Sequence, residues 1–144
     1  MKTQDTARLV DSAIAAQKQA YCPYSHYAVG AAVMTKSGSI FTGCNIENPS
    51  QNLGLCAERL AVFNAVAGGA KEIAAVAVAC SKPSPCGACR QILFEFSAKN
   101  APCNLIDLNA KTGRRKITRT SVRALLPAAY DPRALGLLTR REKS

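Results

Sequence analysis

Three cysteines at fixed spacing constrain this chain more than any other feature of its sequence. Cys86 and Cys89 are three residues apart in the segment PCGACRQ at residues 85–91, and Cys56 lies thirty residues earlier. A spacing of three residues places both sulfur atoms on one face of a helical turn. Three protein ligands leave one coordination position open, as in catalytic zinc sites, whereas structural zinc sites have four. The spacing therefore predicts a catalytic zinc site formed by these three cysteines.

A CxxC pair has two other common interpretations, a redox pair or half of a structural zinc site. A redox pair needs no third cysteine on another helix. A structural site needs a fourth ligand from a second CxxC or a histidine pair. The remaining candidates have no such spacing between them: His26, Cys44, Cys80 and Cys103. We therefore favour catalytic zinc over both alternatives.

Glu58 and Arg59 follow Cys56 closely and have side chains suited to such a site. Glu58 is predicted to move protons beside a zinc-bound water, although an acid here could instead stabilise the helix dipole. Three thiolates and one Zn²⁺ sum to a charge of about −1, which would keep the pKa of that water high. Two helix N-termini and Arg59 can offset the thiolate charge. Arg59 could instead form a surface ion pair. For Arg90, the sequence gives no preference between offsetting the thiolate charge and forming a surface ion pair.

Five segments extend the pattern beyond the zinc ligands. A Cys/Glu element followed by Pro-Cys-x-x-Cys is the general signature of zinc nucleobase deaminases. Together the segments closely resemble the small, homotetrameric cytidine deaminases of pyrimidine nucleoside salvage, from about residue 8 to about residue 135. The segments, in chain order, are CPYSHYAVGAA at 22–32, GCNIEN at 43–48, LCAER at 55–59, SPCGACRQ at 84–91 and LLP at 125–127.

The resemblance implies a zinc enzyme that converts cytidine or deoxycytidine to uridine or deoxyuridine plus ammonia. Glu58 would take a proton from the zinc-bound water and pass it to N3 of the pyrimidine. The zinc-bound hydroxide would attack C4, and Glu58 would then help to protonate the leaving amino group. In this family the arginine matching Arg59 donates hydrogen bonds to the thiolates. The sequence alone leaves two alternatives open, a deaminase of modified or analogue cytidine nucleosides and a nucleic-acid-editing deaminase or binder.

The resemblance also implies a set of substrate contacts. The family uses residues matching Asn45 and Glu47 for the ribose 3′-hydroxyl, although both could instead cap loops. Tyr27 and Tyr130 stand where the family has phenylalanine, the second contributed by a neighbouring subunit, and either could be a core residue. His26 is predicted to be structural. The predicted substrate-binding residues are Tyr27, Asn45, Glu47, Gln51, Ala57 and Tyr130.

One loop departs from the family pattern. The family usually has Ala-x-Tyr before the first zinc cysteine, with the tyrosine reaching into a neighbouring subunit's site, whereas this chain has Pro49, Ser50 and Gln51. An amide cannot stack as an aromatic ring does. The departure leaves the zinc chemistry untouched and makes substrate preference and packing between subunits the open questions.

Hydrophobic periodicity predicts an α/β domain with a β-hairpin followed by alternating helices and strands. The resemblance implies a three-layer α/β/α sandwich, a five-stranded mixed sheet and both zinc-bearing helices on one face. We expect one domain over residues 1–144, with a loose tail after about residue 138. Helices are predicted at 3–20, 56–67, 86–98 and 122–126, strands at 27–34, 40–45, 72–80, 102–108 and 114–118, and turns at 36–39 and 111–113.

The formal net charge is +10, and six of the basic residues fall between residues 111 and 123 with no acid among them. A basic run can bind nucleic acid, but no aromatic residue is interleaved for base stacking, so an exposed edge hairpin is favoured. No apolar run is long enough to span a membrane, and residues 1–11 lack the apolar centre of a secretory signal. Seven cysteines, three of them assigned to metal, predict a reducing cytoplasmic location.

Overall fold

A computed structural model describes residues 3–108, 115–134 and 136. Its central feature is a five-stranded sheet. A short 3₁₀ helix, Gln51–Leu53, precedes the second α-helix. The helices are α1 Thr3–Gln17, α2 Ala57–Ala67, α3 Gly87–Phe96 and α4 Val122–Leu125, and the strands are β1 Gly30–Thr35, β2 Ile40–Cys44, β3 Ile73–Cys80, β4 Pro102–Leu108 and β5 Arg115–Ser121.

The sheet is mixed, as the resemblance implied. β1 pairs antiparallel with both β2 and β3, β3 pairs parallel with β4, and β4 pairs antiparallel with β5. The parallel pair needs a crossover connection, and α3 provides it. β3 lies in the middle of the sheet and is buried on both faces, which explains its continuous apolar sequence IAAVAVAC. β5 is an exposed edge strand, so the favoured interpretation of the basic run as an edge hairpin agrees with the described part of that run.

Helices cover both faces of the sheet and form two separate cores. On one face, α1 packs against the sheet, and the buried residues are Leu9, Val10, Ala13, Ala32, Met34, Ala75, Ala77, Ala79 and Ile106. On the other face, α2 and α3 pack together against alternating strand residues that include Val33, Val76 and Val78. The architecture is therefore the predicted three-layer α/β/α sandwich, with the two cysteine-bearing helices on the same face.

Two glycines allow the helices to approach the hairpin strands closely. A Cβ atom at Gly30 would lie 2.2 Å from the backbone of Ala13 and Gln17 in α1. A Cβ atom at Gly43 would lie 2.5 Å from the backbone oxygen of Ala57 in α2. Both distances are too short for a real carbon atom, so the contact requires glycine. Gly43 thus fixes how deeply the first turn of α2, next to Cys56, lies against the sheet.

The predicted elements are confirmed, with shifted ends. The first helix ends at Gln17 instead of about residue 20, and β1 begins at Gly30 instead of Tyr27. Residues 27–29 are held as a loop by side-chain hydrogen bonds, described below. The predicted turn at 111–113 and the tail after 138 lie outside the described residues. Within the described residues, no helix is long and apolar enough to cross a bilayer.

Candidate metal centre

The three predicted ligands meet where two helices begin. Cys56 is the N-cap of α2, Cys86 is the N-cap of α3, and Cys89 lies in the first turn of α3. Their Sγ atoms all lie within 4.8 Å of one another, and the Sγ atoms of Cys86 and Cys89 are 3.4 Å apart. Tetrahedral zinc with Zn–S bonds of about 2.3 Å holds its sulfur ligands about 3.8 Å apart. The cluster therefore fits one zinc ion with little rearrangement.

The burial of the three sulfurs is uneven. Cys89 is buried against the core, Cys56 is half-buried, and Cys86 is exposed. A closed structural site would need a fourth protein ligand, and no other cysteine, histidine or carboxylate in the described ranges joins this group. The geometry therefore matches a site with one position left for a small molecule, as in catalytic zinc centres.

Charge at the cluster is arranged to favour thiolate at Cys56. A hydrogen bond from the Cys89 thiol and the guanidinium of Arg59 lower the pKa of Cys56 to about 5, against an opposing effect of burial. The Arg59 Nη2 atom lies 3.6 Å from Cys56 Sγ. The same shared hydrogen bond, together with burial, raises the pKa of Cys89. Both N-cap positions also lie at the positive ends of helix dipoles. Arg59 thus occupies the position expected for offsetting thiolate charge.

Arg90 does not contact the cluster. Its Nε donates to the carbonyl oxygen of Pro85 at 2.7 Å, and its Nη1 donates to the carbonyl oxygen of Leu125 at 3.0 Å. Its Nη2 donates to Ser84 Oγ at 3.2 Å. These contacts decide between the two roles that the sequence left open for Arg90. Its guanidinium binds backbone and hydroxyl oxygens and does not offset the charge of the thiolates.

Glu58 lies in the first turn of α2 and is almost completely buried, with 5% of its surface exposed. Burial is the main reason that the pKa of its carboxyl group is raised, and the neighbouring Cys56 thiolate raises it further. The Glu58 carboxylate also contributes to the raised pKa values of Tyr27, Cys80 and Cys103. A raised pKa makes this buried carboxyl group better suited to taking up and passing on a proton than an exposed glutamate would be.

An open cavity of about 490 Å³ borders the cluster. Asn45, Glu47, Gln51, Cys56 and Arg59 all contribute to its wall. Only the resemblance predicted that Asn45, Glu47 and Gln51 lie near the cluster, and the structure places all three around the same cavity as Cys56. Its volume lies within the range of about 300–1,000 Å³ that is usual for small-molecule sites.

Asn45 and Glu47 both hold the loop that precedes β1. Asn45 Oδ1 accepts from the Val29 backbone at 2.8 Å, and its Nδ2 donates to the Tyr27 carbonyl at 2.8 Å. Glu47 accepts from the backbone N–H of Tyr24 at 2.9 Å and from the backbone and hydroxyl of Ser25. The Ser25 hydroxyl is the main reason that the pKa of Glu47 is lowered. The two side chains therefore have the loop-holding role that the sequence allowed, while also lining the cavity.

Tyr27, Ala57 and Tyr130 differ in their surroundings. Tyr27 has 43% of its surface exposed, and its hydroxyl donates to the Ser81 carbonyl at 2.6 Å. Ala57 is fully buried at the start of α2. Tyr130 is 60% exposed, and its carbonyl accepts from Gln91 Nε2 at 2.9 Å. Neither tyrosine is a core residue, and in the described part of the chain neither belongs to the wall of the 490 Å³ cavity.

Several residues at this site were missed by the sequence analysis. Tyr24 and Ser25 line the cavity, and Asp107 caps the loop that leads to Cys86. The segment at 22–32 indicated the first two without assigning them a role. Nothing local indicates Asp107. His26 is exposed and has a positive φ of 54° just after the turn at 23–25, and the structural role predicted for it stays a prediction.

Comparisons with known proteins agree with this geometry. The family model for the cytidine and deoxycytidylate deaminase zinc-binding region matches residues 3–105. A cytidine deaminase of Sporosarcina psychrophila is 41% identical over 130 residues, covering 88% of this chain and 92% of its own length. The crystal structure of a cytidine deaminase from Burkholderia pseudomallei superposes with a TM-score of 0.78 at 38% identity, covering 90% of this chain and 100% of the other. A blasticidin-S deaminase of Bacillus cereus is 29% identical over 140 residues, covering 89% and 94%.

Proposed function

Since the chain belongs to the zinc-dependent cytidine deaminase family, we propose that Cys56, Cys86 and Cys89 hold the zinc ion and that Glu58 is the catalytic proton carrier. The enzyme is a cytidine deaminase that hydrolyses cytidine to uridine and ammonia. The observation that carries the assignment of residues is the meeting of three cysteine sulfurs at two helix N-termini, with the buried carboxyl group of Glu58 interacting with Cys56 and Cys89.

The proposed roles divide the chemistry between the metal and the chain. Zinc, when bound, makes a water molecule nucleophilic near neutral pH. Glu58 accepts a proton from that water and delivers it to N3 of the pyrimidine ring as the water oxygen bonds to C4. Glu58 then takes the second proton from the new C4 hydroxyl and gives it to the amino group, so that the C4=O bond forms as the C4–N bond breaks and ammonia leaves. Arg59 offsets thiolate charge, and the buried position of Glu58 keeps bulk water from competing for its proton.

The cavity is the proposed nucleoside site. Asn45 and Glu47 give its wall polar atoms suited to ribose hydroxyls. The family resemblance assigns Tyr27 and Ala57 to substrate contact as well, and both lie outside the cavity wall in the single chain. Each free hydrogen-bonding position on the Asn45 amide and the Glu47 carboxylate can still serve one hydroxyl. The direct test is a substrate panel of cytidine, deoxycytidine and modified cytosine nucleosides, followed by ammonia release.

A second candidate function concerns the range of substrates. Gln51, where the family usually has tyrosine, lines the cavity and presents an amide instead of a ring. The relative from Bacillus cereus is a deaminase of blasticidin S, a substrate other than free cytidine. Turnover of a modified nucleoside in preference to both cytidine and deoxycytidine would favour this second function.

Replacing Gln51 with tyrosine is expected to lower the KM for cytidine several-fold and to narrow the substrate range. An aromatic contact contributes about 1 kcal/mol beyond its buried area, which corresponds to about a 5-fold change. Steady-state kinetics on the same panel measure both effects. Asn52→Tyr is the matched control, because Asn52 is the next residue of the same 3₁₀ helix and is not part of the cavity wall. Unchanged KM and range in Gln51→Tyr would mean that residue 51 does not contact substrate.

We further propose a cytoplasmic homotetramer with sites shared between subunits. Large apolar side chains beside the cavity are 44–70% exposed in the single chain: Tyr21, Tyr24, Ile46 and Leu53. Exposed apolar groups of this size commonly mark a contact between proteins. None of the seven cysteines, all of them described, forms a disulfide, which suits a reducing compartment. Light scattering on the purified enzyme tests the assembly.

The basic strand β5 is not expected to serve catalysis on nucleic acid. Lys116 and Arg119 are exposed there, and among the described residues neither has an ion-pair partner. Replacing both with glutamine should leave cytidine kcat/KM within about 3-fold. Because free nucleosides carry no phosphate, the kinetics should also depend only weakly on salt. Deamination of an RNA or DNA strand that falls steeply with salt would contradict this prediction.

A further inference from the structure

The loop at residues 81–85 connects β3 to Cys86 and is held at its first residue by Tyr27. The Tyr27 hydroxyl donates to the Ser81 carbonyl at 2.6 Å and lies 3.1 Å from Cys80 Sγ. These contacts tie the loop before β1 to the end of β3. A phenylalanine ring could occupy the same place but could make neither contact, so this link depends on the hydroxyl group.

The rest of the loop is held by two side chains from different elements. Asp107, in β4, accepts a hydrogen bond from the Lys82 backbone at 3.0 Å. Lys82 has a positive φ of 52°, a conformation that residues with side chains seldom adopt without support. Arg90, in α3, donates to the Pro85 carbonyl and to the Ser84 hydroxyl. Each end of the loop and its strained residue therefore has a separate hydrogen-bonding partner.

We propose that Tyr27 and Asp107 are positioning residues for the metal ligand Cys86. They fix the course of the loop, and the loop in turn presents the Cys86 sulfur to Cys56 and Cys89. Cys86 depends on this support more than the other two ligands because it is the exposed member of the cluster. This inference rests on the zinc assignment proposed above and adds the residues that hold one ligand in place.

The sheet explains why these residues can act together. β3 and β4 are parallel, and Cys80 pairs in register with Asp107, so the loop leaves the sheet beside the Asp107 carboxylate. Side chains that hold metal ligands from outside the first coordination sphere typically change metal affinity 10–100-fold when they are replaced. Tyr27 and Asp107 act on the position of a backbone segment, so we expect the change in metal affinity on replacing either one to lie near the lower end of that range.

The first test is Tyr27→Phe, which removes only the hydroxyl group. Zinc release from the purified holoenzyme to an excess of a chromophoric chelator should become about 10-fold faster. The KM for cytidine should change less than the release rate, because the aromatic ring is retained. Tyr21→Phe is the matched control, since Tyr21 lies in the same loop and no hydrogen bond to its side chain occurs among the described residues. Its release rate should equal that of the wild type.

The second test uses Asp107, which is not part of the cavity wall. Asp107→Ala should also release zinc about 10-fold faster. Asp107→Asn should restore most of the wild-type rate, because its Oδ1 atom can still accept the Lys82 hydrogen bond. Tyr27→Phe and Asp107→Ala together should give less than the product of the two single effects, because both act on one loop.

The outcomes separate this inference from the proposed function. A wild-type enzyme that holds one zinc per chain, with release rates unchanged in Tyr27→Phe and in Asp107→Ala, overturns the positioning role alone. Faster release in Asp107→Ala without rescue by Asp107→Asn also overturns it, since the hydrogen bond would then be irrelevant. If metal analysis found no zinc in the purified wild-type enzyme, the proposed function itself would be contradicted.

Discussion

Replacing Glu58 with glutamine is expected to lower kcat for cytidine at least about 100-fold while zinc content and fold are retained. General acid–base catalysis typically contributes 10²–10⁴-fold, and glutamine can neither accept nor deliver the proton. The side chain is 5% exposed and lies against the core, so the isosteric amide fills the same space. Metal analysis and circular dichroism establish that zinc and fold are intact, and ammonia release measures kcat.

The matched control for this substitution is Glu95→Gln. Glu95 belongs to α3, the helix that carries Cys89, but it lies outside the cluster and the cavity. Its substitution makes the same chemical change on a helix of the site, and kcat should stay within about 2-fold of the wild type. A Glu58→Gln enzyme with near-normal kcat would contradict the role of Glu58 as proton carrier, whatever its zinc content.

The pairing of Cys86 with Cys89, two of the proposed metal ligands, was predictable from sequence because local rules place these residues. A cysteine just before a helix, followed three residues later by another, has both sulfurs on one side of the first turn. The same local rules predicted the helices that begin after Cys56 and Cys86 and the apolar strand β3 between them. What the residues alone could not supply is the contact between the two helices. That contact is long-range: the zinc hypothesis required the two helix starts to meet, and the family resemblance placed both helices on one face of the sheet.

The two arginines show where local reasoning stops. Arg59 and Arg90 each follow a cysteine of the cluster closely and carry the same group, yet of the two only Arg59 reaches a sulfur. Arg90 is adjacent to Cys89 in the helix and so points about 100° away from it around the axis. Its partners lie on the loop before α3 and at the end of α4, elements whose positions depend on the whole fold.

The polar wall of the cavity was only half predictable. Strand alternation predicted that Asn45 and Glu47 share a side, and both line the cavity, although Ile46 between them lines it too. Their partners, the backbone of Tyr27 and Val29 for Asn45 and the Tyr24–Ser25 turn for Glu47, come from a loop about twenty residues earlier. A loop without periodicity gives no signal of where it packs, so the sequence allowed the loop-holding role without being able to choose it.

Replacing Cys89 with alanine is expected to abolish zinc retention and activity together. Cys89 contributes the buried sulfur of the cluster, and the two remaining sulfurs cannot hold the metal against a chelator. Zinc measured after gel filtration should fall from about one ion per chain to less than about one tenth. Full retention of zinc by Cys89→Ala would contradict the assignment of ligands.

Replacing a buried cysteine with alanine also removes packing, and Cys103→Ala measures this effect separately from metal binding. Cys103 is as fully buried as Cys89 but lies in β4 outside the cluster, so its substitution should lower the melting temperature through lost packing while zinc is retained. A ligand present at 1,000 times its dissociation constant stabilises the folded state by about 4 kcal/mol, or on the order of 10 °C in melting temperature. Chelator should therefore lower the melting temperature of the wild type and of Cys103→Ala by a similar amount. It should leave that of Cys89→Ala unchanged, because this variant has no bound zinc to lose.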